Sequence, residues 1–265
     1  MEKALFIEGD VRLFGFLFLP ELEVRKSIGY VVIHPFAEEK KSSHRTLVEL
    51  SRELYRQGFP VLMFDLRGCG DSEGDYGSAR LSKWLDDTDK AMQVMKLHTQ
   101  LPKLGIIGLR LGAYLSLCYL ERFSMVSDCI WIEPVLHPVD YLRKSLRHKL
   151  MKELCTDGVI TSNRGELLQN LQSNKSIDFD GYEIGAGLFC DFVEHQDKTD
   201  ILKQVSKGLA VSVSMNGKTT KNVQEICEIN PNIIPMAIQM ELFWNKVDDV
   251  DSVELVNRIC EYVIV

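Results

Sequence analysis

Residues Gly108-Leu109-Arg110-Leu111-Gly112 set glycines two positions either side of a central side chain, between a run that reads as a strand and one that reads as a helix. Small flanking residues permit a sharp, strained strand-to-helix turn that presents the central side chain, which is the frame of a nucleophile elbow. The centre here is arginine, whose guanidinium stays protonated at working pH and cannot attack a carbonyl. Arg110 is instead suited to holding an anion. It stands at the positive end of the following helix, beside the Leu111 backbone N–H, where a carboxylate, phosphate or sulfate is favoured.

A second loop carries candidate partners. After the strand-like run Tyr30 to Ile33 come His34, Phe36, Ala37, Glu38 and Glu39. The backbone N–H of Phe36 or Ala37 lies where an oxyanion hole draws its second donor. A glutamate here that approaches Arg110 has two readings: a general acid or base beside a cation that stabilises developing negative charge, or half of a structural ion pair. His34 has two as well, a site residue or an organiser of the loop backbone. The candidates are therefore Arg110, Glu39 and Glu38 for catalysis, and Phe36, Ala37, Leu111 and His34 for substrate contact.

A charge-relay triad needs an acid and a histidine later in the chain. The loop after Leu209 to Met215 reads Asn216-Gly217-Lys218-Thr219-Thr220-Lys221-Asn222, without an acid. Leu242-Phe243-Trp244-Asn245 follows Ile233 to Glu241, and the last histidine of the chain is His195. Serine, acid and histidine are thus all missing from their expected places, and charge-relay chemistry is not expected. Ser116, nearly two turns into a helix, and Cys190, near His195, are substitute nucleophiles to weigh against a hydroxyl bonded to a backbone carbonyl and an inert thiol. The glycines of Asp65-Leu66-Arg67-Gly68-Cys69-Gly70-Asp71 are not followed by the immediate helix a dinucleotide site demands, so the loop is expected to be held by hydrogen bonds of Asp71 and Arg67. Arg143, Lys144, Arg147, His148, Lys149 and Lys152 form a basic run whose companions Leu142, Leu146, Leu150 and Met151 share a helical face. It reads as a solvated helix or as a guide for an anionic substrate.

Short apolar runs alternate with helical periodicities to position these residues. Leu13 to Leu19 and Tyr30 to Ile33 read as strands; Ser42 and Ser43 offer N-caps for a helix carrying Leu47, Leu50 and Leu54; Val61 to Asp65 is the next strand. Helix-like Leu81 to Leu101, strand Leu104 to Gly108, helix Arg110 to Phe123 and strand Cys129 to Glu133 continue the rhythm. A doubly wound, mostly parallel sheet follows. Residues 138–205 break the pattern, polar and largely helical without a convincing strand, and read as a cap inserted over the strand ends. Strands Leu209 to Met215 and Ile233 to Glu241 and helix Val250 to Val263 close one domain spanning 1–265.

Taken together, His34-Pro35-Phe36-Ala37-Glu38-Glu39, the segment Asp65 to Asp75, and Gly108-Leu109-Arg110-Leu111-Gly112-Ala113 resemble a bacterial branch of the α/β-hydrolases that includes the exosortase-A-system-associated hydrolases. The likeness extends through Trp131 to Val135, Gly181-Tyr182 and Phe243-Trp244, with a looser match across 138–205. It implies an α/β-hydrolase fold and an arginine at the elbow. It carries the word hydrolase only by inheritance, because function resides in the site and not in the fold.

Bulk properties narrow the partners. With 31 basic and 38 acidic residues the formal net charge is −7, a field that opposes nucleic acid and anionic membranes. The seven cysteines are scattered without metal-ligand spacing and read as reduced thiols, so neither a metal nor another cofactor is expected. Met1 to Asp10 lacks the pattern of a signal peptide, and no apolar run spans a membrane, so a cytoplasmic protein is expected. Two functions are consistent with all of this. One is an atypical enzyme on a small-molecule or carrier-bound anionic acyl or glycan-related substrate, and the other a non-catalytic binding protein with a protein partner.

Overall fold

A computed structural model of the chain describes residues 1–123, 126–157, 163–246 and 248–264. The strands are β1 (Glu2–Ile7), β2 (Leu13–Phe18), β3 (Ile28–Ile33), β4 (Val61–Phe64), β5 (Lys103–Leu109), β6 (Val126–Ile132), a short pair β7 (Ile177–Phe179) and β8 (Tyr182–Ile184), β9 (Gly208–Ser214) and β10 (Ile233–Gln239). Eight of them form one sheet in the order β1-β2-β4-β3-β5-β6-β9-β10. The β1–β2 and β2–β4 pairs are antiparallel, and every pairing from β4 to β10 is parallel.

The central strands are almost wholly buried because helices cover both faces, which is why they read as predominantly apolar runs and not as strict alternation. On one face, Leu47, Leu50 and Leu54 of α1 (Glu38–Arg56) and Leu255 and Ile259 of α9 (Val253–Ile264) pack on Val32, Ile107 and Ile130. On the other, Trp84 and Met95 of α2 (Leu81–Thr99) and Leu115 of α3 (Leu111–Arg122) pack on Val31 and Ile106. Farther along that face, α8 (Lys221–Ile229) brings Val223 and Ile226 against Ala210 and Trp131. Among the described residues no helix is long and apolar enough to cross a membrane.

Four local expectations are corrected. Strand β1 pairs along its whole length with β2 although most of its residues are exposed; as an edge strand it lacks the apolar pattern that marks buried ones. Helix α1 begins at Glu38, not at a serine cap: Ser43 is buried inside it, its hydroxyl donating to the Glu39 carbonyl at 2.7 Å. Glu38 and Glu39 therefore occupy the first helical turn, where acidic side chains complement the helix dipole. Residues 138–205 do contain strands, β7 and β8, joined by a turn in which Asp180 and Gly181 have φ of 52° and 87°. Such short strands, three residues each, are too brief to show a period of two. In α4 (Pro138–Asp157), Leu142, Leu146 and Leu150 are buried as the periodicity requires, whereas Met151 is exposed.

The segment between β6 and β9 also holds α5 (Arg164–Gln172), α6 (Ala186–Glu194) and α7 (Thr199–Gln204). It is tied to the sheet-covering helices through Asp191 of α6, which accepts two bonds from Arg80 at 2.8 and 2.6 Å and a third from the Leu81 backbone at the start of α2. Gly158 and the Lys152 side chain lie outside the described residues.

The loop after β4 is pinned by Arg67, which donates to the fully buried Asp87 and to Asp10. Asp71 contributes through its backbone N–H, which donates to Asp65 at 3.1 Å. Removing one partner of a buried charge pair leaves the other uncompensated. Asp87→Ala is accordingly expected to lower stability by about 3–5 kcal/mol, read as a fall in the midpoint of urea unfolding with an unchanged slope; a midpoint like that of the wild type would show that Arg67 is satisfied by Asp10 alone.

Candidate functional site

Three neighbouring parallel strands, β3, β5 and β6, end at one place, and the backbone just beyond each is forced into an unusual conformation. Ala37, Arg110 and Glu133 have φ of 48°, 55° and 42° although none is glycine. Left-handed backbone at such residues costs of order 1–3 kcal/mol each and persists only where the surroundings over-determine it. At Arg110 (φ 55°, ψ −116°) they do. Its N–H donates to the Ile132 carbonyl at 3.0 Å, and its own carbonyl accepts from Ala113 and Val135, both at 3.1 Å. The flanking glycines are required by space: a Cβ on Gly112 would lie 2.2 Å from the Ile33 carbonyl oxygen, and one on Gly108 2.6 Å from the Ala113 Cα.

The Arg110 side chain is enclosed on four sides. Nη2 donates to Glu39 Oε1 at 3.3 Å, and Nη1 to the Glu133 carbonyl at 3.4 Å. The guanidinium carbon lies 4.8 Å from the Trp244 ring centroid and 5.4 Å from that of Tyr141, both cation–π distances. Burial pushes the Glu39 carboxyl up from its ordinary range, while the Arg110 charge and the Tyr141 hydroxyl hold it down in part. Burial pulls the Arg110 pKa down, but the charge and hydrogen bond of Glu39 together with Tyr141 and Glu133 more than offset it, so the net shift is upward and Arg110 stays protonated. Two buried atoms of the pair, Glu39 Oε2 and Arg110 Nε, make no hydrogen bond.

Glu133 joins the cluster through its backbone. Its carboxylate turns the other way, accepting from the Val213 N–H at 2.9 Å and the Thr220 hydroxyl at 3.3 Å, and burial raises its pKa. The end of β6 is thereby fastened to β9 and to the loop before α8.

Of the sequence candidates, Arg110 and Glu39 are brought together. Glu38 pairs with Lys41 at 3.4 Å. The Ala37 N–H is taken by the Tyr76 hydroxyl at 3.2 Å. Phe36, Leu111 and His34 pack so closely that only about 10 Å³ remains between them and their neighbours, about the least that holds one water. His34 binds backbone at both ring nitrogens, Nδ1 against the Pro35 carbonyl at 2.7 Å and Nε2 accepting from the Leu66 N–H at 3.2 Å. Ser116 is fully buried, donating to the Ala113 carbonyl and accepting from the Trp131 indole. Cys190 is exposed on α6. Lys149 is buried beside Asp178 at 3.6 Å, while Lys144, Arg147 and His148 of the basic run are exposed. Among the described residues no three His, Cys, Asp or Glu converge as a metal site requires.

Sequence reasoning missed Tyr141, Trp244 and Glu133 as members of this cluster. Trp244 had a signal, since it stands just beyond the last strand, where a histidine was sought. Glu133 closes the strand run before one of the loops at the sheet's carboxyl end. Tyr141 had none: it sits on α4, and nothing local fixes where that helix lies.

Residues 31–180, more than half of the chain, match the family model described as serine aminopeptidase, S33. The chain belongs to that family of α/β-hydrolases. Solved structures agree on the fold. The ferulic-acid-bound Est1E from Butyrivibrio proteoclasticus superposes with a TM-score of 0.73 at 15% identity, covering 98% of each chain. XC6422 from Xanthomonas campestris, described as an α/β serine hydrolase without a lid, gives a TM-score of 0.60 at 17% identity over 99% of this chain and 93% of its own. The thioesterase domain of the curacin biosynthetic pathway gives 0.59 at 12% identity over 100% of both. No curated protein sequence matches the chain.

The loop holding Glu39 depends on a neutral histidine. Burial, helped by the Lys40 charge, depresses the His34 pKa from 6.5 to about 4. The unfolded chain takes up this proton first, so stability is expected to fall as pH drops from about 6.5 to about 4 and to gain no further slope from this group below that. Melting temperatures of the wild type and His34→Gln, which keeps an acceptor for the Leu66 N–H, should diverge across that window, the variant declining less steeply. Parallel declines would assign the acid sensitivity elsewhere.

Proposed function

We propose that this S33-family chain has lost charge-relay hydrolysis and serves as a binding protein built on a hydrolase fold, its nucleophile elbow converted into a structural lock. One observation carries the reading: the guanidinium at the elbow is already neutralised and enclosed by Glu39, the Glu133 carbonyl, Tyr141 and Trp244. The three places where the relay would stand are filled by groups with other roles. Arg110 replaces the nucleophile, Asn216-Gly217-Lys218 follows β9 in place of the acid, and Trp244 stacks on Arg110 where the histidine would stand. An arginine cannot form an acyl intermediate, and tryptophan cannot shuttle its proton. Residues 138–205 then act as a cap that closes the cluster by bringing Tyr141 over it, in a protein of the reducing cytoplasm whose partners are a small molecule or another protein.

A second reading draws on the two unmet atoms of the pair, Glu39 Oε2 and Arg110 Nε. In it an anionic acyl or glycan-related substrate, free or carried, opens the cluster and engages Arg110, with Glu39 as acid or base.

Assays with p-nitrophenyl esters, acyl thioesters and aminoacyl nitroanilides separate the two. The binding reading expects no turnover by the wild type and none gained by Arg110→Ser, since a restored nucleophile still lacks its base. Turnover by the wild type that is lost in both Arg110→Ala and Glu39→Gln would overturn it in favour of the second.

A further inference from the structure

On the α1 face of the sheet, away from the Arg110 turn, β2 presents an unusual surface. Alternation along the strand sends Leu13 and Leu17 into the core and Phe14, Phe16 and Phe18 to the opposite side. There Phe14 and Phe16 are only half-buried. Together with Met63 of β4 they floor a cavity of about 390 Å³, the size of a small-ligand pocket.

The roof is one stripe of α1. Lys40, His44, Val48 and Arg52 recur every four residues, so they share a helix face, and all four line the cavity. A second cavity of about 350 Å³, walled by Lys41, Tyr76 and Tyr182, also has Lys40, His44 and Gly70 on its wall. The shared wall makes the two neighbours along the first half of α1. Their charged side chains are Lys40, Lys41 and Arg52 against Asp65 and Asp71, one positive charge in excess with the histidines counted as neutral, on a protein of net charge −7. Lys40 is held by Asp65 at 2.9 Å, while Lys41 and Arg52 reach Glu38 and Glu2 only at 3.4 and 3.6 Å and are largely exposed. No hydrogen bond or ion pair engages the exposed His44 ring among the described residues.

We propose that this channel binds an amphiphilic anion, with an acyl or aryl tail on the Phe14–Phe16–Met63 floor and a carboxylate or phosphate head at Arg52. An aromatic floor favours a tail that buries apolar surface, and the Arg52 guanidinium on the roof selects the sign of the head. The proposal uses no group of the Arg110 cluster and stands whichever reading of that cluster holds.

Isothermal titration with decanoate, decyl phosphate, decanol and decyltrimethylammonium tests it on the intact protein. One molecule of decanoate or decyl phosphate is expected to bind per chain, and the preferred one identifies the head group. Decanol should bind at least tenfold more weakly, and the ammonium should give no saturable heat. Val48→Trp, which fills the channel from its partly exposed roof, is expected to abolish binding. Arg52→Gln should weaken the anions at least tenfold without changing decanol, and Arg110→Ala should leave all affinities unchanged. Circular dichroism and melting temperature establish that each variant is folded, and Arg52→Gln, an exposed change, serves if Val48→Trp is not. Absent saturable anion binding, equal affinity for the cationic amphiphile, or anion binding unaffected by Arg52→Gln would each overturn the proposal.

Discussion

The ion pair between Arg110 and Glu39 is the constraint around which the carboxyl ends of the central strands are arranged. Taking two charges out of water costs several kcal/mol per ion, and the attraction between them offsets this only when other contacts help. Here the help comes from a carbonyl and two aromatic faces, supplied by three separate stretches of chain: Glu133 after β6, Tyr141 on α4 and Trp244 after β10. A guanidinium suits this role better than an ammonium, since its plane stacks on rings while its edge donates.

Backbone strain and side-chain pairing reinforce each other in this cluster. Positive φ at Ala37 starts α1 so that Glu39 falls in the first turn; positive φ at Arg110 throws the guanidinium toward it; positive φ at Glu133 aims a carbonyl at the same group. Each conformation is unfavourable alone and is held by hydrogen bonds from its neighbours. Such geometry suits a reactive side chain held ready at a turn. With arginine at the centre, the same geometry holds a cation against a carboxylate, a carbonyl and two rings, and cavities of about 390 and 350 Å³ lie instead along α1.

How much of this was legible in the sequence depends on how local each cause is. The buried strands and their helices follow from apolar runs and periodicity, and the turn at Arg110 follows from two glycines whose added Cβ atoms would strike backbone. The approach of a glutamate after β3 to Arg110 is legible because β3 and β5 pair and end together, whereas its role, acid or base against structural ion pair, is left open by sequence. The start of α1 was misread since a serine hydroxyl satisfied inside a helix has the same sequence as one that caps it. Edge strand β1 and the hairpin β7–β8 left no pattern, being exposed or too short. The enclosure by Tyr141 is set by packing between segments far apart in the chain, and no local rule reports it.

The most direct measurement of the central claim is a double-mutant cycle on Arg110→Met and Glu39→Gln, read by equilibrium unfolding in urea at neutral pH. If the pair is a structural lock, each single change strands a buried polar or charged partner and the double variant recovers part of the loss, giving a coupling of about 1–3 kcal/mol. Additivity within about 0.5 kcal/mol would contradict the account, showing that Arg110 and Glu39 stand side by side without holding each other in place.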